Sequence, residues 1–190
     1  MCFGRVPPTA YACICFHREL HTRSRLMELS IALRSASLTA PSAQAEMREA
    51  LARALEASHD PLGTLDIEPW QFYLLSPESV STVAWLYARL LEKEVGAEGA
   101  RAAYEQWQAI PGWIAVTCRV VETSHMERAR EDCLTAVQRY SLSLWSDNIP
   151  TNWVTDTITE SKELYDLIGA DPQHETVLGI LWYGHAERGA

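Results

Sequence analysis

The side chains that most often act as nucleophiles or general bases are scattered along this sequence. Ser124 lies next to His125 within residues 122–125 (ETSH), but no nucleophile turn of the kind found in serine hydrolases surrounds them. His125 and His174 are single histidines in predicted loops, and we expect neither to be catalytic. The sequence therefore contains no strong signal for a reaction that a side chain would carry out by itself.

The cysteines do not form a metal site or a disulfide framework by their spacing. There are five of them, at positions 2, 13, 15, 118 and 133, which is an odd number without a CxxC pair. Cys118 falls in a predicted strand and Cys133 on the apolar stripe of a predicted helix, so we expect both to be structural thiols inside the core. Free thiols and the lack of metal-ligand spacing indicate a reducing cytoplasm and no bound metal.

Charge and composition exclude several classes of partner. The chain has 190 residues, of which 47% are hydrophobic and 22% charged, as in an ordinary globular domain with a sizeable core. Its formal net charge of −9 argues against nucleic acid or an anionic membrane surface, because either partner would need a basic face. No apolar run approaches the roughly 18 residues that a membrane-spanning helix needs. We expect no nucleic-acid or membrane partner.

The first 26 residues differ from the rest in composition. They contain four arginines, one acidic residue and three of the five cysteines. A basic, acid-poor start is typical of a targeting leader, but the apolar stretch at 11–16 is short and no small-residue cleavage site follows it. Met27 begins a helical pattern. We therefore favour a disordered extension or a mis-called start codon for residues 1–26, and a single domain over residues 27–190.

Hydrophobic periodicity predicts a mixture of helices and strands, which is typical of an α+β domain. The predicted helices cover residues 27–34, 43–57, 77–91, 98–108, 125–146 and 161–168, and the predicted strands cover 71–75, 113–118 and 176–183. Residues 113–118 (WIAVTC) are a continuous apolar run, which suits a central strand buried on both faces. Gly96 and Gly169 are expected to end helices. The helix over 125–146 is the longest, and one apolar stripe on it is formed by Cys133, Val137, Tyr140 and Leu144.

Three segments combine aromatic and turn-forming residues in an informative order. Residues 68–73 (EPWQFY) place a proline at the entry to a strand, where a residue that cannot donate to the ladder belongs. After the long helix, residues 151–155 (TNWVT) indicate a tight tryptophan-bearing turn, and residues 178–185 (LGILWYGH) a closing strand that ends at a glycine. This order resembles the FMN-dependent nitroreductase family over about residues 27–188.

The resemblance implies both a fold and an activity. The fold is the nitroreductase-like α+β fold, a central mixed or antiparallel sheet flanked by helices, with the long helix at the interface of a homodimer. FMN would lie at that interface, lined by both subunits. The activity would be NAD(P)H-driven reduction, with hydride passing from the nicotinamide to flavin N5 and then to a small electron acceptor such as a nitroaromatic or a quinone. Because the flavin carries this chemistry, no catalytic side chain is required.

The resemblance also assigns cofactor-binding positions. The phosphate of FMN would contact Arg34, Ser35, Ser37 and Arg188, since a guanidinium group binds phosphate through charge-assisted hydrogen bonds. The flavin ring would lie near Asp66, Glu68, Pro69 and Trp70, and near Trp153, Val154, Thr155 and Asp156. At the last two positions the backbone amides would face N5 and O4, and Asp156 stands where the family usually has glycine.

A second hypothesis follows from the departures from the family pattern. The phosphate cluster is reduced to one arginine, Arg34. The turn after the long helix contains Asn148, which can replace glycine at a left-handed position, and Pro150, which cannot donate a backbone hydrogen bond. The alternative to the enzyme is therefore a degenerate family member that binds FMN weakly or not at all, and that acts as a non-catalytic dimeric binding or regulatory protein.

Overall fold

Four β-strands form one antiparallel sheet in the computed structural model, which describes residues 41–59, 68–120 and 122–184. The strands are β1 (Trp70–Leu74), β2 (Gly112–Arg119), β3 (Thr151–Val154) and β4 (Glu175–Tyr183). The helices are α1 (Pro41–Ser58), α2 (Pro77–Gln108), α3 (Met126–Ser146) and α4 (Lys162–Ile168), with short 3₁₀ turns at Thr123–His125 and Thr157–Glu160. The predicted α+β class is confirmed, and the predicted helix over 27–34 lies outside the described residues.

The spatial order of the strands is β1-β2-β4-β3, so β2 and β4 are central and β1 and β3 are the edges. Every residue of β2 is buried except Arg119, which confirms the predicted central strand. Its side chains alternate between the two faces because successive residues of a strand point in opposite directions. Trp113 and Ala115 belong to the core beneath α2 and α4, whereas Ile114 and Val116 pack with residues of α1 and α3.

Helix α2 consists of two arms separated at Gly96, whose φ of 75° and ψ of 168° are not helical. The break confirms that Gly96 ends the predicted helix, although the first arm continues past residue 91 to this glycine. Ser76 caps the N-terminus by accepting a hydrogen bond from the backbone N of Ser79 at 3.1 Å, and Pro77 follows at the first helical position. No helix in the described ranges is long and apolar enough to cross a membrane.

Helix α3 lies across the face of the sheet opposite α2. Its buried side includes all four residues of the predicted stripe, Cys133, Val137, Tyr140 and Leu144. Phe72 of β1 stacks on Tyr140 with ring centroids 4.8 Å apart, and α1 packs along the same helix. The stripe is confirmed because residues spaced three or four apart share one side of a helix.

The tryptophan-bearing segment that follows α3 is a strand and not a turn, so that interpretation was wrong. The reversal occurs earlier, at Asn148, whose φ of 57° is left-handed as predicted. Ile149 is then anchored in the core, and the carbonyl of Pro150 accepts a hydrogen bond from the backbone N of Gly184 at 3.3 Å. Residues 151–154 extend this pairing along β4. The strand conformation was not predicted because it depends on pairing with β4, which is far away in the sequence.

The left-handed turn residue gives a first testable prediction. Asn148→Ala is expected to lower the free energy of unfolding by about 1 kcal/mol. The left-handed region is disfavoured for residues with a β-carbon, except for Asn and Asp, whose short polar side chains can form local hydrogen bonds. Asn148→Gly is expected to change the free energy of unfolding by less than about 0.5 kcal/mol, because glycine adopts this conformation freely. Urea unfolding of the two variants checks the difference. Equal stabilities would contradict the role assigned to Asn148.

Candidate functional site

The two described segments implied to line a flavin lie at opposite edges of the sheet. Residues 68–70 lead into β1, and residues 153–156 end β3 and follow it. Three strand spacings separate these edges, about 14 Å. Trp153 is in the row that runs through Leu181 and Ile114 to Leu74, four residues along β1 from Trp70, which adds about 13 Å along the strands. A single chain therefore does not bring the two segments together.

The first segment is held by contacts with its own chain. The Glu68 carboxylate lies 2.7 Å from Nδ1 of His59, at the end of α1. The carbonyl of Pro69 accepts a hydrogen bond from the backbone N of Arg119 at 2.7 Å, which continues the ladder beyond Trp70. The Trp70 side chain is buried against Cys118 and the first half of α3. Trp70 thus has a role in the core, and the backbone of the segment is fixed at the sheet edge.

The second segment alternates between the two faces of the sheet. The Trp153 indole is partly buried on the α3 side, where it covers Gly179 of β4. A β-carbon added to Gly179 would lie 2.3 Å from Cζ2 of Trp153, so the glycine leaves the space that the indole occupies. Val154 is buried on the α2 side, and Thr155 and Asp156 are exposed beyond the end of β3.

The backbone at Asp156 is unstrained, although the family pattern has glycine there. Its φ of −151° and ψ of −179° are extended, a conformation that any residue adopts. The carboxylate begins the 3₁₀ turn, with Oδ1 accepting a hydrogen bond from the backbone N of Thr157 at 2.6 Å. Oδ2 accepts a hydrogen bond from the Tyr87 hydroxyl at 2.8 Å. Aspartate is accommodated at this position because its charge receives two hydrogen bonds.

Tyr87 is the residue of this region that sequence reasoning missed. It lies in the first arm of α2, 69 positions before Asp156, and its apolar neighbours in the helix predict only a core residue. Burial, and next the negative charge of Asp156, raise the pKa of the Tyr87 hydroxyl, so it stays protonated as a donor. Its ring stacks on Trp107 of the second arm, with centroids 4.3 Å apart and planes 11° from parallel. No local sequence signal identifies this pair.

A second polar cluster lies where β1, β2 and β4 meet. The Glu175 carboxylate accepts hydrogen bonds from the Tyr73 hydroxyl at 2.9 Å and from the Thr117 hydroxyl at 2.5 Å. Burial, and next the hydrogen bond to Glu175, raise the pKa of Tyr73 to about 12. The donors come from neighbouring strands and satisfy the carboxylate internally. We assign this cluster a structural role.

The two cysteines of the described residues are free and buried, as predicted for structural thiols. Cys118 and Cys133 belong to the small core cluster that also contains Trp70. The hydrogen bond with Cys118, and then burial, raise the pKa of the Cys133 thiol, which makes it a poor nucleophile. Within residues 41–59, 68–120 and 122–184, no group of three or more His, Cys, Asp or Glu side chains is arranged to hold a metal ion.

Helix α3 also carries apolar side chains that its own chain does not cover. We call Leu134, Leu142 and Trp145 the α3 apolar stripe. Leu142 and Trp145 are 69% and 67% exposed, and Leu134 is 40% exposed. Their spacing of eight and three residues keeps them near one side of the helix, away from the buried stripe. Large exposed apolar side chains grouped in this way are typical of an interaction surface.

Five of the implied cofactor-binding residues lie outside the described ranges. They are Arg34, Ser35, Ser37, Asp66 and Arg188. The described members are Glu68, Pro69, Trp70, Trp153, Val154, Thr155 and Asp156. The implied phosphate contacts therefore remain predictions. The residues that the structure describes are all ones implied to lie beside the flavin ring.

Comparison with known proteins identifies the fold. No protein-family model matches the sequence, and no curated protein sequence is significantly similar to it. The nitroreductase-like family protein from Bacillus cereus superposes with a TM-score of 0.64 at 15% identity, over 75% of this chain and 76% of that one. A protein from Desulfovibrio desulfuricans, described as a nitroreductase and in complex with FMN, gives a TM-score of 0.57 at 16% identity, over 86% and 88% of the two chains.

A third similar structure is a variant of the FMN- and NADPH-dependent nitroreductase NfnB from sphigopyxis sp. strain HMH. Its TM-score is 0.57 at 16% identity, and the match covers 86% of this chain and 89% of that one. The similarity extends over most of both chains in each case. The resemblance inferred from the order of the aromatic motifs is confirmed at the level of architecture: this chain has the nitroreductase fold.

Proposed function

We propose that this protein is an FMN-dependent oxidoreductase of the nitroreductase family. It would use NADH or NADPH to reduce an electron-poor small molecule, such as a nitroaromatic or a quinone, in two successive hydride transfers. The observation that carries the proposal is the fold, which the chain shares with a nitroreductase structure that contains FMN and with one described as FMN- and NADPH-dependent.

The residues at the end of β3 fit a flavin edge. Thr155 and Asp156 are exposed, the backbone at Asp156 is extended, and the Asp156 carboxylate accepts hydrogen bonds from Tyr87 and Thr157. Trp153, held over Gly179, would support the segment from below. FMN, when bound, would supply hydride acceptance and donation. The chain would contribute backbone donors, a fixed orientation and a surface from which water is excluded.

A homodimer is part of the proposal. The segments at residues 68–70 and 153–156 lie on opposite edges of one sheet, so both can line the same flavin only if they come from different subunits. The α3 apolar stripe is a surface that a second copy would cover. We propose that α3 meets its counterpart there and that the flavin lies at the rim of this contact.

The proposal also includes the domain and the compartment. The domain would extend over residues 27–190. A cytoplasmic location is supported by the two free, buried thiols.

The decisive experiment is a flavin titration of the purified full chain. We expect yellow protein with equimolar FMN, or stoichiometric uptake of added FMN, followed by bleaching of the flavin on addition of NADPH or NADH and its recovery with a quinone. A colourless protein that takes up no FMN would refute the enzymatic function. If that colourless protein still dimerised, the non-catalytic dimeric binding protein would be favoured instead.

A further inference from the structure

Tyr87 and Asp156 form a hydrogen bond that would alter the effect of the aspartate charge on a nearby flavin. The Tyr87 hydroxyl donates to Oδ2 of Asp156 at 2.8 Å, from a side chain that is only 4% exposed. The other carboxylate oxygen receives the backbone N–H of Thr157 at 2.6 Å. Both oxygens of the Asp156 carboxylate therefore already accept hydrogen bonds from donors of the same chain, one in α2 and one in the 3₁₀ turn.

We propose that Tyr87 is a positioning residue that directs the Asp156 carboxylate away from the flavin and offsets its charge, so that an acidic residue can occupy the place of the usual glycine. The inference rests on the proposed function, in which residues 155–156 face N5 and O4 of the isoalloxazine. It goes beyond that function because it assigns the control of the flavin's reduction potential to a contact between α2 and the end of β3.

The charge argument has a definite sign. Reduction adds negative charge to a flavin, and a nearby carboxylate disfavours the more negative form. A carboxylate that accepts hydrogen bonds has part of its charge taken up by the donors. With Tyr87 in place, reduced FMN is expected to bind more tightly than it would beside an unconstrained Asp156, and the reduction potential is correspondingly higher.

Rigidity of the donor is needed for this role, and the core supplies it. The Tyr87 ring stacks on Trp107, and Trp107 contacts Trp182 of β4 at a centroid distance of 6.2 Å. Trp182 in turn contacts Trp113 of β2 at 5.1 Å. Because this row of rings connects α2 with the centre of the sheet, the hydroxyl of Tyr87 keeps one position relative to β3.

The contact itself can be tested in protein without flavin. We expect the hydroxyl proton of Tyr87 to be visible by NMR in the wild type, since burial and the hydrogen bond to Asp156 slow its exchange with water. Asp156→Ala should abolish that signal. A Tyr87 hydroxyl proton that exchanges equally fast in both proteins would overturn the inference, whatever the flavin does.

The consequence is tested with bound FMN, from the ratio of the affinities for oxidised and reduced flavin. Tyr87→Phe is expected to weaken binding of reduced FMN relative to oxidised FMN by about tenfold, equivalent to about 30 mV for a two-electron couple. Asp156→Asn should shift the ratio in the opposite direction. Once Asp156 is Asn, adding Tyr87→Phe should have little further effect, because the charge that the hydroxyl offsets is gone.

Tyr104→Phe is the matched control. Tyr104 is a partly buried tyrosine of the same helix, and its hydroxyl contacts Ser81 and Gln108 instead of Asp156. We expect it to leave the affinity ratio unchanged. Protein that binds FMN with the same ratio in all variants would overturn this inference and leave the proposed function standing. Protein that binds no FMN would overturn both.

Discussion

Replacing Gly179 with alanine is expected to displace the Trp153 indole and to lower the free energy of unfolding by about 1–3 kcal/mol. The added methyl group would lie 2.3 Å from Cζ2 and 2.7 Å from Cε2 of Trp153, both far below van der Waals contact. The neighbouring strands β2 and β3 hold the backbone of β4 on either side. The indole therefore has to move, and with it the segment implied to lie beside the flavin.

A double-mutant cycle with Trp153→Phe tests this steric explanation. Phenylalanine lacks the outer indole atoms that meet the new methyl group, so the two substitutions together should destabilise the protein less than the sum of their separate effects. Urea unfolding measures the free energies, and FMN titration of the same four proteins measures the consequence for the site. Additive effects on stability would show that Gly179 matters for another reason.

Trp145→Glu is expected to convert the proposed homodimer into a monomer. The Trp145 side chain is 67% exposed in the single chain, and in the proposed dimer it would be covered by the partner. Losing a buried aromatic anchor often costs about 2 kcal/mol or more, and an unpaired carboxylate in the contact adds a further penalty. The dissociation constant should therefore rise by roughly 100-fold or more. Sedimentation velocity over a range of protein concentrations checks this.

Trp85→Glu is the control for that experiment. Trp85 is also a large exposed tryptophan, at 48%, but it lies on α2, on the opposite side of the sheet from the α3 apolar stripe. We expect this variant to remain a dimer. Circular dichroism should show that both variants keep their helices. If Trp145→Glu dimerised as tightly as the wild type, the interface would have to be sought elsewhere.

The dimer and the flavin are linked in these predictions. Since residues 68–70 and 153–156 lie at opposite edges of one sheet, a monomer offers each flavin only half of the implied lining. Trp145→Glu should therefore also weaken FMN binding, although Trp145 is not among the implied flavin contacts. Asp156→Asn, in contrast, should change the ratio of the affinities for oxidised and reduced FMN without changing the oligomeric state.

The elements that could be predicted are those with short-range signals. The helical stripe of α3 and the apolar run of β2 were recognised because burial imposes a period on neighbouring residues. Gly96, Gly169 and Asn148 were recognised as points of reversal because few other residues adopt positive φ, and all three do so in the structure. The order of the aromatic motifs was sufficient to identify the fold.

The parts that could not be predicted depend on contacts between distant residues. β3 has only four residues, and polar and apolar residues do not alternate clearly in its sequence. Its strand conformation therefore depends on pairing with β4. The bond between His59 and Glu68, the seat of Trp153 over Gly179 and the bond between Tyr87 and Asp156 likewise join separate elements. The local sequence does not indicate which distant residues will be in contact.

By itself, the sequence determined which of the described segments are helical, which strand is central and which family the order of motifs resembles, because these follow from local burial patterns and turn residues. Only the tertiary structure decided that an aspartate in place of glycine is tolerated. A tyrosine 69 residues away supplies a hydrogen bond to its carboxylate, and the extended backbone at Asp156 needs no glycine. Whether a residue fits a site depends on its neighbours in space, and the folded chain alone brings those neighbours together.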